Sequence, residues 1–160
     1  MRDSTFIAGI LLPLVGGTGA VMAAEVSRTA TVNASPAEVW RVIGPFCAIS
    51  DWYPGITICT EERIGGATHR RLVTQDGAQF LEKLLEHDEA GMRYSYTIEQ
   101  SPLPVADYRS TLAVAEAGGM AQLTWSSSFS PKGASEQEAE EVVTGVYDGG
   151  LEALRKRFGG

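Results

Sequence analysis

Five turn signals at near-regular spacing, followed by one long amphipathic segment, restrict this chain to very few folds. Gly65-Gly66, Asp76-Gly77, Ala90-Gly91, Pro102 to Pro104 and Gly118-Gly119 punctuate the region from Ile56 onward. The segments between them are of strand length, roughly 6–10 residues, and rich in alternating apolar and polar positions. Asp76-Gly77 is the strongest of these signals, because both residues tolerate the positive φ of a two-residue type I′ hairpin. Val26 to Asn33 alternates as a first strand. The expectation is an antiparallel sheet of about seven strands, six of them a continuous meander.

Two capping boxes place the helices. Ser35-Pro36-Ala37-Glu38 starts one, with Ser35 as N-cap, Pro36 at the first helical position and Glu38 reaching back. Val39, Trp40 and Ile43 then share a face, Gly44-Pro45 ends the helix, and a second short helix precedes a strand from Ile56. Ser135 to Glu138 opens the long helix, with Ala139, Val142, Val143, Val146, Tyr147, Leu151 and Leu154 at helical spacing. Arg155, Lys156 and Arg157 sit at its negative end. Gly145, Gly149 and Gly150 interrupt it at about 1 kcal/mol each relative to Ala. They mark either close helix–sheet packing or space kept for a ligand. The architecture is therefore α+β: a curved seven-stranded antiparallel sheet wrapped around a long C-terminal helix, with two short helices after the first strand. One helix cannot fill a concave sheet, so a cavity is expected between them.

The N-terminus sets the compartment. Phe6 to Val15 is an apolar run of signal-peptide length, and small residues ending in Ala23-Ala24 offer a cleavage site after either alanine. Residues 1–24 are expected to be a cleaved signal peptide and 25–160 a single domain, periplasmic or secreted and without a membrane anchor. The net charge of −7 argues against nucleic acid and anionic membranes as partners. Cys47 and Cys59 are the two cysteines of the chain. No CxxC redox motif is present, and His69 and His87 are not spaced to complete a zinc site, so no metal is expected. Export favours a disulfide clip over two unpaired buried thiols.

Alternation also nominates wall residues. Tyr94, Tyr96 and Ile98 share one strand face, Tyr108, Ser110 and Leu112 another, and Leu123, Trp125 and Phe129 a third. Individually such aromatics pack a core; collectively they carry hydroxyls and an indole N–H that suit a pocket with several polar tips. Glu82 lies in a run apolar on both faces, Phe80 to Glu86, and alternation leaves it either solvated beside Lys83 or turned inward with Arg71. Inward, the Glu82–Arg71 pair would form a polar anchor, and Glu82 could serve as a general base. His69 reads as a surface histidine near the rim. No nucleophile elbow, nucleotide fingerprint or phosphate loop occurs, and no cofactor is expected.

The stretch VNASPAEVWRVIGPFCAISDWYPGI, with GPFCAISDWYPGITIC, LLEHDEAGMRYSY, SPLPVADYRSTLAV and WSSSFSPKGAS, resembles the START-like superfamily. This is also called the birch-pollen-allergen-like, SRPBCC or helix-grip superfamily. The resemblance covers Glu25 to Phe158. It is closer to the polyketide cyclase/dehydrase branch, and within that to exported accessory proteins associated with periplasmic methanol oxidation. Plant abscisic-acid receptors share the superfamily. Their likeness implies an inward glutamate at Glu82, pocket positions at Tyr108 and Ser110, a gate at Gln75-Asp76-Gly77 and a latch at Pro102-Leu103-Pro104. Tyr53 stands where those receptors carry a carboxylate-binding lysine, and where this branch usually carries histidine in a Trp-His-Pro triplet. Tyr53 thus removes both an anion anchor and an imidazole.

The candidate ligand contacts are Trp52, Tyr53, Arg71, Phe80, Glu82, Tyr94, Tyr96, Tyr108, Ser110, Trp125 and Phe129, with Glu82 and Arg71 the candidate catalytic pair. Three functions follow: an exported binder of a small apolar or aromatic ligand; a polyketide cyclase/dehydratase-like enzyme working by acid–base chemistry; or an accessory protein docking on a periplasmic redox enzyme.

Overall fold

The computed structural model describes residues 23–160. The elements run β1 (Ala24–Val32), α1 (Pro36–Ile43), α2 (Ile49–Trp52), β2 (Ile56–Ile64), β3 (Ala67–Thr74), β4 (Gln79–Asp88), β5 (Arg93–Gln100), β6 (Val105–Ala117), β7 (Met120–Pro131) and α3 (Glu136–Phe158). The expected signal peptide falls almost wholly outside the described residues. Ala24, which that reading assigned to the leader, begins β1, pairs with Phe129 and is 2% exposed.

The seven strands form one antiparallel sheet in the order β1-β7-β6-β5-β4-β3-β2. The meander β2–β7 follows the chain, and β1 closes on β7. Both capping boxes form: Ser35 and Glu38 satisfy each other's backbone N–H groups at α1, as do Ser135 and Glu138 at α3. Helix α3 packs on β1 and β7 and touches α2. Ala139, Val143, Tyr147, Leu151 and Leu154 form its buried stripe, while Val142 is 40% exposed. Because α3 covers one side of the concave face, the concavity toward β3, β4 and β5 is bounded by α2 and the loops beside it.

The hairpin turns depart from expectation at one place. Ile64 pairs with Ala67 and Ala117 with Met120, so Gly65-Gly66 and Gly118-Gly119, all at positive φ, are the two-residue turns. Asp76-Gly77 is instead part of a three-residue loop. Gly77 N–H donates to Thr74 O at 2.9 Å, Thr74 N–H donates to Ala78 O at 3.0 Å, and Gly77 alone has positive φ (86°). A type I turn followed by one left-handed residue gives this geometry. Strands β6 and β7, at 13 and 12 residues, also exceed the expected length. A bulge interrupts their register between Ala106 and Arg109, with Asp107 at φ 51°. Asp is among the few residues that occupy this region readily, and the bulge lets Val105 and Tyr108 both face inward.

Cys47 and Cys59 are disulfide-bonded, with Cα atoms 5.5 Å apart. The bridge ties the α1–α2 connection to β2 and encloses α2, Tyr53 and Gly55.

Candidate functional site

A pocket of about 480 Å³ opens between the sheet, α2 and α3. Ile49 of α2, Tyr53, Gly55 and Ile56 form one side. Leu72 and Thr74 of β3, Phe80 and Glu82 of β4, and Tyr96 and Ile98 of β5 form the floor. Tyr108, Trp125 and Val146 close the α3 side, and Gln75, Asp76 and Leu103 contribute from loops. Gln75 N–H donates to Gly55 O at 3.1 Å, joining the β3–β4 loop to the disulfide-enclosed segment.

Of the expected contacts, Tyr53, Phe80, Glu82, Tyr96, Tyr108 and Trp125 line this space. Trp52, Tyr94, Ser110 and Phe129 are buried behind it. Trp52 packs edge-on against Trp125 at 5.8 Å; Tyr94 sits among Trp40, Phe46 and His87; Phe129 stacks on Tyr108 at 6.1 Å. Ser110 is consumed by hydrogen bonds to the wall itself.

Arg71 is the clear correction. It points away from the pocket and pairs with half-buried Glu62 at 2.8 Å. Its neighbour Arg70 is fully buried and its Nε donates to Glu82 Oε2 at 2.6 Å. Turn geometry explains the difference. A two-residue turn at Asp76-Gly77 would carry Arg71 opposite Glu82. The observed three-residue loop pairs Arg70 with Glu82 instead, and a one-residue slip reverses every side chain on the strand. Sequence reasoning missed Arg70 because Leu72 and Val73 make both faces of β3 look apolar. His69, expected at the surface, is 3% exposed, with Nε2 3.3 Å from Glu99 and Nδ1 3.2 Å from Ala67 O.

The Arg70–Glu82 pair is embedded in aromatics. Arg70 also donates to Phe46 O through Nη1, and its guanidinium lies 4.1 Å from the Phe46 ring centroid and 5.0 Å from that of Tyr96. Nη2 is buried without a partner among the described residues. Burial disfavours the charge on Arg70, but the Glu82 carboxylate, helped by Tyr94 and Tyr96, outweighs it and holds the guanidinium above its ordinary value.

A hydroxyl network forms the α3 side. Tyr108 and Tyr147 hydroxyls are 2.5 Å apart, Tyr147 Oη and Ser110 Oγ 2.9 Å, and Ser110 Oγ donates to Ser126 O at 2.9 Å. Trp125 Nε1 donates to Ser110 Oγ at 3.1 Å and to Tyr96 Oη at 3.2 Å. Tyr53 donates to Val146 O at 3.1 Å. Burial raises the pKa of every one of these tyrosines, and those of Tyr96 and Tyr108 well above the usual value. Gly150 is required here, since a Cβ would fall 2.8 Å from Trp125 Cζ3 and 2.9 Å from Tyr53 Cδ2. At Gly145 a Cβ would meet nothing within 4 Å. Among the described residues no group of three or more metal-ligating side chains comes together.

A curved sheet gripping one long helix is the helix-grip fold of the START/SRPBCC superfamily. The family model described as polyketide cyclase / dehydrase and lipid transport matches residues 23–159, and the chain belongs to that family. The structure of protein XoxI from Bacillus cereus is similar at 32% identity, covering 84% of this chain and 95% of that one, with a TM-score of 0.78. A putative uncharacterized protein from Bacillus thuringiensis is similar at 32% identity over 84% and 98%, with a TM-score of 0.79. The ZhuI aromatase/cyclase from Streptomyces sp. R1128 shares the fold, at 19% identity over 82% and 94% and a TM-score of 0.63. No curated protein matches the chain.

Proposed function

We propose that this chain is an exported small-molecule-binding protein whose pocket takes an apolar or aromatic ligand. One observation carries the reading: a largely apolar pocket whose buried charged lining residue, Glu82, is already matched by Arg70. The volume of about 480 Å³ lies within the range of small-molecule sites. Export is supported by the N-terminal apolar run and the Cys47–Cys59 bridge, as disulfides persist in oxidising compartments. Cleavage after Ala23 suits the fold better than cleavage after Ala24, because Ala24 is a buried residue of β1.

The family also suggests a cyclase or dehydratase, and the same geometry weighs against it. A general base at Glu82 must accept a proton, which would strip the fully buried Arg70 of its counter-charge. The tyrosine hydroxyls are largely bound to one another and have raised pKa values, so they are poor bases near neutrality. For docking on a redox enzyme, the net charge of −7 supports steering toward a basic partner.

Native mass spectrometry of the protein isolated from its own host's envelope tests the reading. A stoichiometric, unmodified small-molecule adduct on a chain beginning at Ala24 is expected. Conversion of the extracted molecule on incubation with fresh protein would establish an enzyme instead, and co-isolation of a redox enzyme with an empty pocket would favour docking.

A further inference from the structure

The hydroxyl protons of the pocket wall can be assigned from donors and acceptors alone. Ser110 has one proton, and it goes to the Ser126 carbonyl, which can only accept. Tyr147 must therefore donate to Ser110, and Tyr108 must donate to Tyr147. Ser110 Oγ, accepting from Tyr147 and from Trp125 Nε1, is saturated. This arrangement uses each proton of the chain within the protein. Tyr108 consequently offers the pocket a lone pair and no donor.

Tyr96 is the opposite case. It shares the Trp125 Nε1 proton with Ser110, and its own proton makes no hydrogen bond among the described residues, since the neighbouring Ser110 Oγ is already filled by Tyr147 and Trp125. Glu82 spends Oε2 on Arg70, and Oε1 has no protein donor among the described residues. Both line the pocket from adjacent strands, on the same face and diagonal to one another in register. Both contact the same guanidinium, Glu82 by hydrogen bond and Tyr96 by its ring. The pocket floor thus presents one free donor beside one free anionic acceptor.

Resting on the reading of this pocket as a binding site, we infer that its ligand is a neutral apolar molecule carrying a hydroxyl group, a phenol or an alcohol. The ligand oxygen accepts from Tyr96 and its proton is donated to Glu82. A hydroxyl alone completes both bonds. An ether accepts from Tyr96 and leaves Glu82 unsatisfied; a carboxylate sets a second negative charge beside Glu82; an ammonium leaves the Tyr96 proton without an acceptor. Sites built to hydrogen-bond a hydroxyl discriminate strongly against analogues that lack it, because the buried partner is left unpaired.

The test is equilibrium binding of 2-naphthol, 2-methoxynaphthalene and 2-naphthoate near neutral pH, by calorimetry, on wild type and Tyr96→Phe. The Tyr96→Phe variant leaves Trp125 Nε1 its bond to Ser110, and its fold is checked by circular dichroism. Wild type should bind naphthol at least about tenfold more tightly than the methyl ether, with naphthoate weakest, and Tyr96→Phe should cut the naphthol preference several-fold. Equal binding of the ether, or tighter binding of naphthoate, would overturn the hydroxyl assignment while leaving a binding pocket. An unchanged preference in Tyr96→Phe would overturn it equally. Failure of all three probes, together with an empty pocket in native mass spectrometry, would remove the binding reading itself.

Discussion

Arg70 and Glu82 face one another across β3 and β4, joined Nε to Oε2 at 2.6 Å, with side chains 0% and 6% exposed. Neither charge is tolerable there alone. Glu82→Gln keeps the shape but leaves a guanidinium without its counter-charge, and a loss of about 3–5 kcal/mol is expected. The double change Arg70→Met with Glu82→Leu should recover most of it, since apolar replacement of a buried pair is often neutral or stabilising. Urea denaturation of the single and double variants checks this; a Glu82→Gln protein as stable as wild type would show that the pair is solvated.

All five tyrosines of the chain, Tyr53, Tyr94, Tyr96, Tyr108 and Tyr147, have raised pKa values, with burial the main cause. A group whose folded pKa exceeds its unfolded value of 10.0 contributes stability that is full below that pH. That contribution is lost as pH rises beyond it. Tyrosinate absorbance should therefore be suppressed at pH 10 and emerge at higher pH in one cooperative step together with loss of far-ultraviolet ellipticity. Smooth individual titration centred at the ordinary value would contradict the burial of these hydroxyls.

Reducing Cys47–Cys59 reopens a loop with a sequence separation of 12 residues. The chain-entropy cost is about 3 kcal/mol. The effect should reach the pocket, because Ile49, Tyr53, Gly55 and Ile56 lie within that loop and form its side. Intact mass should rise by about two units on reduction, the melting temperature should fall, and naphthol affinity should drop with it. Two thiols available to alkylation without reductant would show the bridge absent.

Gly145 and Gly150 share a helix but should respond oppositely to alanine. At Gly150 the new Cβ meets the Trp125 and Tyr53 rings under 3 Å away, and a net loss of roughly 1–3 kcal/mol is expected. At Gly145 the space is open, so helix propensity should add up to about 1 kcal/mol. Thermal denaturation of the two variants distinguishes these signs directly.

Local chemistry by itself determined most of the architecture. Ser35–Glu38 and Ser135–Glu138 are complete helix starts because the capping atoms lie within four residues. The glycine pairs at 65–66 and 118–119 set their own turns, since few other residues adopt two successive positive φ angles. Seven antiparallel strands and one long helix follow from such signals without any long-range contact. Tertiary structure decided the rest, and the β3–β4 loop shows why. Asp-Gly is compatible with a two-residue or a three-residue hairpin, and the choice moves Arg70 or Arg71 opposite Glu82. Propensity cannot separate those outcomes; the aromatic surroundings of Phe46 and Tyr96 and the carboxylate of Glu82, all distant in sequence, stabilise one of them. The same applies to Tyr94, Tyr108 and Phe129. Alternation places all three on the inner face, but which of them meets packed core and which meets open space depends on where α3 lies across a curved sheet.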